Sequence, residues 1–168
     1  MRILGIAGWS GAGKTTLLAK LIPELTRRGI RVSTMKHAHH AFDVDTPGKD
    51  SYVHREAGAT EVMVSSGKRW ALMHELRGDA QPDAGALIKH MTPVDLLLIE
   101  GFKNEPHDKL EIHRAENGKP LLSTDDPTYV AILSDGPVPG AKMPVIDLND
   151  IPAIADFVMA HCQLAAKE

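Results

Sequence analysis

Short runs of aliphatic residues alternate along this chain with stretches whose apolar positions recur every three or four residues. The run at 3–7 predicts a buried strand, and 30–36 predicts a second strand. The run at 94–100 is so apolar that we expect its strand in the middle of the sheet. Residues 14–28 carry leucines and an isoleucine on one side of a helical wheel, so we expect an amphipathic helix. We expect Pro23 to kink this helix or to end it early, because proline removes a backbone hydrogen bond.

The middle of the chain predicts a small antiparallel unit. Segments 61–65 and 69–75 flank Ser66-Gly67-Lys68, a turn sequence typical of a β-hairpin. Before it, a short helix is expected to begin at a cap formed by Asp50 or Ser51. The remaining predicted elements are helices at 83–91 and from 150 onward, and strands at 110–113, 129–133 and 145–148.

This order of elements predicts the fold class. Strands that alternate with helices indicate an α/β protein, in which three layers surround a mostly parallel central sheet. The hairpin is an excursion from that sheet. We interpret residues 1–168 as a single domain with added segments at 61–75 and 103–128, the second rich in proline and turn sequences.

Composition and charge narrow the range of partners. The chain has 168 residues, with 19 Lys and Arg against 22 Asp and Glu, a net charge of −3. This balance argues against broad electrostatic binding to nucleic acid or to an anionic membrane. The single cysteine, Cys162, cannot form an internal disulfide, and no apolar run approaches the ~20 residues of a membrane span. We therefore expect a cytoplasmic protein.

A phosphate-binding motif follows the first predicted strand. The pattern G-x-x-x-x-G-K-[ST], the Walker A motif or P-loop, is met by Gly8-Trp9-Ser10-Gly11-Ala12-Gly13-Lys14-Thr15. Its glycines let backbone N–H groups approach phosphate oxygens, and the helix N-terminus adds its positive dipole end. Lys14 supplies a charge to the β- and γ-phosphates, and Thr15 offers a hydroxyl to Mg²⁺. We predict that this stretch, with Thr16, binds a nucleotide.

Asp95 and Glu100 lie towards the two ends of the apolar strand predicted at 94–100. At the usual rise per residue they are about 16 Å apart. In a parallel sheet, nucleotides lie at the carboxyl ends of the strands. Glu100 follows the strand and is therefore predicted to serve Mg²⁺ or to orient water. Asp95 precedes the strand and is expected to be a solvated residue at the far edge. The alternative for Glu100 is an ordinary acid at the end of a strand.

A polar stretch at 37–51 follows the carboxyl end of the second strand. It therefore starts at the same edge of the sheet as the P-loop, and we call this edge the carboxyl rim. Loops at this place often sense the γ-phosphate, so we predict a switch-like loop. Asp45 is the acid that we expect to contact Mg²⁺ or water. The alternatives are a transition-metal site, formed by His37, His39 and His40, and a solvated polar loop. The residues of the predicted switch-like loop are His37, His39, His40, Asp43, Asp45, Thr46, Pro47, Gly48 and Lys49.

Recognition of the base is predicted at the end of a later strand. The strand at 129–133 leads into Ser134 and Asp135, again on the carboxyl rim. One carboxylate can accept hydrogen bonds from both N1–H and the exocyclic amino group of guanine. Asp135 is thus a candidate guanine reader, and the alternative is that Asp135-Gly136-Pro137 is only a turn.

Several of these motifs occur together and in order in one known family. They are the P-loop, Met35-Lys36-His37, the run 43–51, Arg55-Glu56-Ala57-Gly58-Ala59, and Asp95-Leu96-Leu97-Leu98-Ile99-Glu100-Gly101-Phe102-Lys103. On these residues the chain resembles the MobB family, the GTP-binding adaptor proteins of molybdopterin-guanine dinucleotide biosynthesis. The resemblance spans nearly the whole chain, and the runs after the P-loop carry its specificity.

The resemblance implies a P-loop fold of the signal-recognition/MinD-like class, a homodimer, and GTP bound with Mg²⁺. It implies weak GTPase activity and assistance to the guanylyltransferase MobA, and it leaves open whether molybdopterin binds directly. By position, residues 11–16 would hold phosphates, and Thr15 and Glu100 would serve Mg²⁺. Lys14, Glu100 and Asp45 would form the catalytic set.

The chain departs from the wider GTPase pattern in two respects. It has no Asn-Lys-x-Asp base motif, so guanine specificity depends on Ser134 and Asp135. It also has no obvious arginine finger, since Arg55, Arg69 and Arg77 are candidates without support. Slow hydrolysis would follow from that.

Two other functions remain alternatives at this point. A metallochaperone GTPase is suggested by the histidines of the polar stretch, although that stretch has no cysteine. A small-molecule kinase would use the same P-loop. Such kinases usually close an arginine-rich lid over the phosphates, and the segment 103–128 contains only Arg114.

Overall fold

The computed structural model describes residues 1–38, 42–102 and 105–166. Its strands are β1 (Arg2–Ala7), β2 (Val32–Lys36), β3 (Glu61–Ser65), β4 (Trp70–His74), β5 (Leu96–Glu100), β6 (Lys109–His113), β7 (Tyr129–Ser134) and β8 (Val145–Asp147). Its α-helices are α1 (Lys14–Arg27), α2 (Asp50–Glu56), α3 (Ala84–Ile88) and α4 (Ile151–His161), with one 3₁₀ turn at Ala115–Asn117. The chain forms two compact units, one of Met1–His37 with Thr92–Glu168 and one of Ala38–Met91.

The first unit is built on a six-stranded parallel sheet. The strand order is β2-β5-β1-β6-β7-β8, and every neighbouring pair is parallel. Strand β5 lies between β2 and β1, and its residues Leu96 to Ile99 are fully buried. The predicted α/β class with a mostly parallel sheet is confirmed, as is the inner position of the most apolar strand. No helix in the described part of the chain is long and apolar enough to cross a membrane.

One face of the sheet holds the main apolar core. Helices α1 and α4 pack against each other and on this face. Leucines of α1 meet inward-facing residues of β1, such as Leu4 and Ile6, and Ile154 and Val158 of α4 complete the layer. Full burial of each such side chain stabilises the fold by about 1.5–3 kcal/mol. This core fixes the start of α1 against the end of β1, which is where the P-loop lies.

Helix α1 continues through Pro23 and ends at Arg27, so the predicted early end is wrong. Proline removes one internal hydrogen bond, but Leu21 and Leu25 are fully buried on either side of it and hold the helix on the sheet. The chain turns at Gly29 (φ 81°), and the Ile30 N–H donates to the carbonyl of Leu25 at 3.1 Å. Strand β2 therefore begins at Val32, two residues later than predicted.

The opposite face of the sheet carries a buried carboxylate. Glu111 of β6 is fully buried, and its two oxygens accept hydrogen bonds from the backbone N–H groups of Leu122 and Ser123 at 2.7 and 2.9 Å. A buried carboxylate needs such donors, because leaving it unpaired costs several kcal/mol. Glu111 therefore attaches the loop after β6 to the sheet.

Lys109, two residues earlier on the same strand, attaches other parts of that segment. Its Nζ donates to the carbonyls of Glu105 and His107 and to the Thr128 hydroxyl, at 2.6, 3.0 and 2.7 Å. Burial lowers the pKa of Lys109, and burial together with the Lys109 charge lowers the pKa of His107. The segment predicted as a loop-rich addition is thus held by buried charged groups of its own strand.

The second unit contains the predicted hairpin. Strands β3 and β4 pair in antiparallel fashion as a separate two-stranded sheet, with Met63 opposite Leu72 and Ser65 opposite Trp70. The turn between them is closed by a hydrogen bond from the Ser66 N–H to the Arg69 carbonyl at 2.9 Å. The alternation of side chains and the turn sequence were sufficient to predict this element.

Helix α2 begins at Asp50, whereas a cap at Asp50 or Ser51 would place its first residue at 51 or 52. Lys49 occupies the capping position, so neither Asp50 nor Ser51 is the cap. Asp50 lies inside the first turn, where its charge favours the helix dipole. The Ser51 hydroxyl donates instead to Asp45 Oδ1 at 2.8 Å, a tertiary contact that local sequence could not show.

Helix α3 is shorter than the predicted 83–91. Asp83 caps it by accepting a hydrogen bond from a backbone N–H three residues later, at 2.7 Å. The α-helix ends at Ile88, because the N–H groups of His90 and Met91 bond to carbonyls three residues back, as in a 3₁₀ turn.

Candidate functional site

The P-loop joins β1 to α1, which is the context that its motif requires. Strand β1 ends at Ala7 and α1 begins at Lys14. Gly11 and Gly13 have φ values of 81° and 100°, a conformation that L-amino acids with side chains rarely adopt. The loop is closed by a hydrogen bond from the Ala12 N–H to the Trp9 carbonyl at 3.1 Å. The first turn of α1 follows directly, so its N–H groups lie next to the loop.

Lys14 and Thr15 start the helix beside this loop. The Lys14 ammonium donates to the carbonyls of Gly8 and Trp9 at 2.8 and 3.2 Å. An ammonium group has three donors, so a further one is available to a phosphate oxygen. Thr15 is exposed in the first turn. The cation is thus held across the loop, close to where phosphates are expected.

Glu100 lies on the same rim. The parallel register aligns it with Ile6 of β1 and with Lys36 of β2. Its side chain is 14% exposed, and its Oε1 is 3.9 Å from Lys36 Nζ. A threonine hydroxyl and a carboxylate are the hard oxygen ligands that Mg²⁺ prefers, so the donor set of Thr15 and Glu100 fits that ion. Lys14 and Glu100 are therefore both placed at the carboxyl ends of adjacent strands, as predicted.

Asp95 lies at the other end of β5, as predicted, but it is not solvated. Its side chain is only 17% exposed. Its Oδ2 accepts a hydrogen bond from the Arg31 N–H at 2.9 Å and lies 3.3 Å from Arg31 Nε. This acid joins the starts of β2 and β5. The prediction of a solvated side chain is wrong, because Arg31, next to the neighbouring strand, is bonded to it.

His37 opens the polar stretch that was predicted to act as a switch. Its backbone N–H donates to the Glu100 carbonyl at 2.8 Å, and its ring centroid lies 4.6 Å from that of Phe102. His37 thus packs where β2 and β5 end. His39 and His40, the other two histidines of the predicted loop, lie outside the described residues, as does Lys103.

Asp45 belongs to the second unit and is bonded within it. Its side chain is 6% exposed, and its Oδ1 accepts from the Thr46 N–H and the Ser51 hydroxyl at 2.9 and 2.8 Å. Its Oδ2 has no hydrogen-bond partner among the described residues and lies 3.7 Å from Arg55 Nε. Asp45 therefore fixes the turn that contains Pro47, Gly48 and Lys49. Its contact with Mg²⁺ or water stays a prediction.

Arg55 is the centre of a charged cluster in the same unit. It lies 2.7 Å from Asp43 and 3.4 Å from Glu75, and its side chain is 14% exposed. The hydrogen bond to Asp43 is the main reason that the pKa of Arg55 is raised. Arg77 donates to the carbonyls of Arg55 and Ala59 at 2.8 and 3.0 Å. Two of the three candidate arginine fingers are thus engaged inside their own unit.

Arg114 lies on this rim, although from the sequence it was considered only as the single arginine of a possible lid at 103–128. It directly follows β6, and its Nε donates to the Ala12 carbonyl of the P-loop at 3.1 Å. Its Nη1 donates to Asp135 Oδ2 at 2.8 Å. A Cβ placed on Gly13 would lie 3.5 Å from Arg114 Nη2. An arginine at the carboxyl end of a strand was a usable signal, but its partners are distant in sequence.

Ser134 and Asp135 end β7 on the same rim, as predicted. Ser134 is buried, and its hydroxyl accepts from the Gly136 N–H at 3.3 Å. The Asp135 side chain is 19% exposed and is paired with Arg114. The structure therefore brings Asp135 to the P-loop through Arg114, and the direct reading of guanine by Asp135 stays a prediction.

Trp9 provides a ring at the loop itself. Its Nε1 donates to the Pro120 carbonyl at 2.8 Å, and the Lys119 ammonium lies 5.9 Å from the ring centroid. Trp9 as a whole residue is 38% exposed. Trp9 thus connects the P-loop to the segment that Glu111 attaches to the sheet.

A cluster suited to a transition metal is not seen in the described part. Within 1–38, 42–102 and 105–166 there is no group of three or more His, Cys, Asp or Glu side chains arranged to hold a metal ion.

Comparisons with known proteins agree on one family. Residues 3–135 match the MobB family, described as molybdopterin guanine dinucleotide synthesis protein B. The chain is 46% identical over 156 residues to a Haemophilus influenzae protein named molybdopterin-guanine dinucleotide biosynthesis adapter protein, covering 93% of this chain and 86% of that protein. It is 44% identical over 164 residues to the Escherichia coli K12 protein of the same name, covering 96% and 93%.

Solved structures give the same fold. The chain matches the crystal structure of Bacillus subtilis MobB with a TM-score of 0.75 at 25% identity, covering 99% of this chain and 100% of that one. A crystal structure titled molybdopterin-guanine biosynthesis protein B matches with a TM-score of 0.72 at 24% identity, covering 96% and 99%.

Proposed function

Because this chain belongs to the MobB family, we propose that it is an adapter protein of molybdopterin-guanine dinucleotide biosynthesis that binds GTP with Mg²⁺. The observation that carries the proposal is the P-loop at the carboxyl end of β1, flanked by Glu100 and by the Arg114–Asp135 pair. Each of these groups has a chemical role toward a nucleotide triphosphate.

The P-loop and the first turn of α1 hold the phosphates. Backbone N–H groups of residues 11–16 face the phosphate oxygens, and Lys14 neutralises the β- and γ-phosphates. Thr15 and Glu100 would hold Mg²⁺, which would offset the charge of the phosphates. The loop at 45–49 responds to the γ-phosphate.

Hydrolysis is slow in this proposal and serves the adapter role. Arg55 and Arg77 are bonded within the second unit. A GTPase without an arginine finger hydrolyses GTP orders of magnitude more slowly than one with such a group in place. Bound GTP is therefore hydrolysed slowly, and the protein acts through the GTP-bound state.

The partner is the guanylyltransferase MobA, which joins GMP to molybdopterin. The adapter is a cytoplasmic homodimer in this proposal. Whether GTP is bound to it determines how strongly it assists that enzyme. The pathway role rests on the family and on the names of the relatives. The partner and the dimer are parts of the proposal that binding experiments can test separately.

Trp9 allows a direct titration of the site. In a Trp70→Phe variant, Trp9 is the only tryptophan, and we expect GTP to change its fluorescence in the presence of Mg²⁺. ATP should bind at least about 10-fold more weakly, a difference of ~1.4 kcal/mol. Calorimetry on the unmodified protein serves as the label-free control. Equal affinity for ATP would contradict the assignment of GTP.

Glu100→Gln is expected to weaken the Mg²⁺ requirement. The substitution keeps the size of the side chain but removes the charge, so Mg²⁺ should no longer strengthen GTP binding as it does in the unmodified protein. Loss of a residue that tunes a metal site typically costs about 10–100-fold in metal affinity. GTP titrations over a range of Mg²⁺ concentrations measure this shift.

Asp95→Asn is the matched control for that variant, because Asp95 lies at the opposite end of the same strand. It should leave the Mg²⁺ dependence unchanged. An unchanged dependence in Glu100→Gln as well would remove Glu100 from the metal site.

A further inference from the structure

A lysine at the end of β2 lies beside Glu100, the carboxylate proposed for Mg²⁺. Lys36 Nζ is 3.9 Å from Glu100 Oε1, which is longer than the ~2.7–3.2 Å of an N–H···O hydrogen bond. Glu100 therefore attracts the ammonium but accepts no hydrogen bond from it. The Lys36 side chain is 65% exposed, so a ligand at the carboxyl rim can contact it. Lys36 belongs to Met35-Lys36-His37, a motif to which the proposed function gives no role.

The backbone around Lys36 is fixed, although its side chain is exposed. The His37 N–H donates to the Glu100 carbonyl at 2.8 Å, so the pairing of β2 with β5 continues past Lys36. Gly101 packs closely on the end of β2, because a Cβ there would lie 2.8 Å from His37 Cβ. The two strand ends therefore hold Lys36 and Glu100 next to each other.

Lys36 and Glu100 lie on the face of the sheet that carries α1. Side chains two residues apart on a strand share a face, and Leu98, two residues before Glu100, packs in the core with the leucines of α1. Lys36 is in register with Glu100 on the neighbouring strand and therefore lies on the same face. Lys14 and Thr15 begin α1 at this end of the sheet. Two lysines, a hydroxyl and a carboxylate thus share one face at the carboxyl rim.

We propose that Lys36 contacts the terminal phosphate of bound GTP and thereby makes the site favour a nucleoside triphosphate over a diphosphate. This inference rests on the proposed function, since it assigns a further residue to the same nucleotide site. In nucleoside triphosphatases the metal ion contacts the β- and γ-phosphates, so the acid at the metal marks the end of the triphosphate. Glu100 is that acid in the proposed function, and Lys36 lies beside it.

Lys36 differs from Lys14 in the phosphates that it can reach. Lys14 Nζ donates to carbonyls of the P-loop, where the motif directs it at both the β- and the γ-phosphate. Strand β5 separates β2 from β1, so Lys36 lies about 10 Å from the P-loop strand at the ~4.8 Å spacing of neighbouring strands. It approaches the phosphates from the opposite side and meets only the terminal one, which a diphosphate lacks.

The pair of Lys36 with Glu100 does not prevent this contact. An ion pair with an exposed ammonium is weak, because water screens the two charges. A phosphate oxygen at hydrogen-bond distance offers a stronger, charge-assisted interaction than a carboxylate at 3.9 Å. The flexible four-carbon stem of lysine lets the ammonium move from one to the other while the backbone stays in place.

The test compares GTP with GDP, which lacks only the terminal phosphate. Calorimetry of the full chain with saturating Mg²⁺ measures both ligands in Lys36→Ala. We expect GTP to bind about 10-fold more weakly, a change of ~1.4 kcal/mol, because one charge-assisted hydrogen bond is lost. The affinity for GDP should change by less than about 2-fold. Lys36→Arg keeps the positive charge and should retain most of the preference for GTP.

Lys142→Ala is the matched control, because it removes an exposed lysine from the loop between β7 and β8. It should alter neither affinity. The double variant of Lys36→Ala with Glu100→Gln shows whether Lys36 acts on the phosphate directly. If it does, Lys36→Ala still weakens GTP binding about 10-fold when Glu100 is already replaced.

Three results overturn the inference. Equal losses of GTP and GDP affinity in Lys36→Ala would place Lys36 at a phosphate that both ligands share. No loss of either affinity would leave Lys36 as a partner of Glu100 alone. A loss that disappears in the Glu100→Gln background would mean that Lys36 acts only through that carboxylate. If the unmodified protein binds neither nucleotide, the proposed function itself fails.

Discussion

Lys14→Ala is expected to weaken GTP binding strongly and to remove most of the assistance to guanylylation that depends on it. The ammonium is the one side-chain charge that the motif directs at the β- and γ-phosphates. A hydrogen bond to a charged group contributes about 1.5–3 kcal/mol, so the loss of the one that the ammonium can offer to phosphate should weaken binding by that amount. That corresponds to a dissociation constant raised about 10–100-fold.

The measurement is calorimetry with Mg·GTP, followed by a reconstituted guanylylation assay with the guanylyltransferase. Lys142→Ala is the control, because it removes the same charge from an exposed loop between β7 and β8. Thermal unfolding should show that both variants remain folded. If Lys14→Ala stimulated guanylylation as strongly as the unmodified protein, nucleotide-dependent assistance would be refuted. An unchanged affinity for GTP would refute the phosphate role of Lys14.

Local patterns were enough to predict the elements that depend on near neighbours. The P-loop context, the hairpin and the inner strand β5 follow from spacing, turn chemistry and a continuous apolar run. The role of Glu100 as a rim residue follows from strand direction alone. In each case the residues that determine the structure lie within about ten positions of one another in the sequence.

Elements that depend on tertiary packing were predicted less well. Pro23 does not end α1, because the burial of Leu21 and Leu25 on the sheet outweighs the lost hydrogen bond. Lys109 and Glu111 alternate with apolar residues on β6, a pattern typical of a half-exposed strand, yet both are buried. Their partners lie in loops that no local rule connects to the strand.

The pairing of Arg114 shows the same limit at the site. Asp135 lies 21 residues away and Ala12 lies 102 residues away in the sequence. Local sequence patterns do not show contacts between residues this far apart. From the sequence, Arg114 was therefore considered only as the single arginine of a possible lid. The parallel register brings the ends of β6, β7 and β1 together and thereby gives Arg114 its position.

The first P-loop glycine gives a second large effect, on folding. Gly8→Ala is expected to lower the free energy of unfolding by about 2–5 kcal/mol. Gly8 has a φ of 153°, and a Cβ there would lie 2.8 Å from the Ile112 carbonyl oxygen, a backbone atom of β6. The backbone strain costs about 1–2 kcal/mol, and the overlap adds ~1–3 kcal/mol because a sheet strand cannot easily shift.

Gly11→Ala is the matched control for this effect. Its φ of 81° also disfavours a side chain, but a Cβ there would meet nothing within 4 Å. It should therefore cost only the strain, about 1–2 kcal/mol. Urea unfolding without nucleotide measures both variants. A smaller loss for Gly8→Ala than for Gly11→Ala would show that β6 yields to the new methyl group. The close packing of the loop on that strand, which also places Arg114 at Ala12, would then not be rigid.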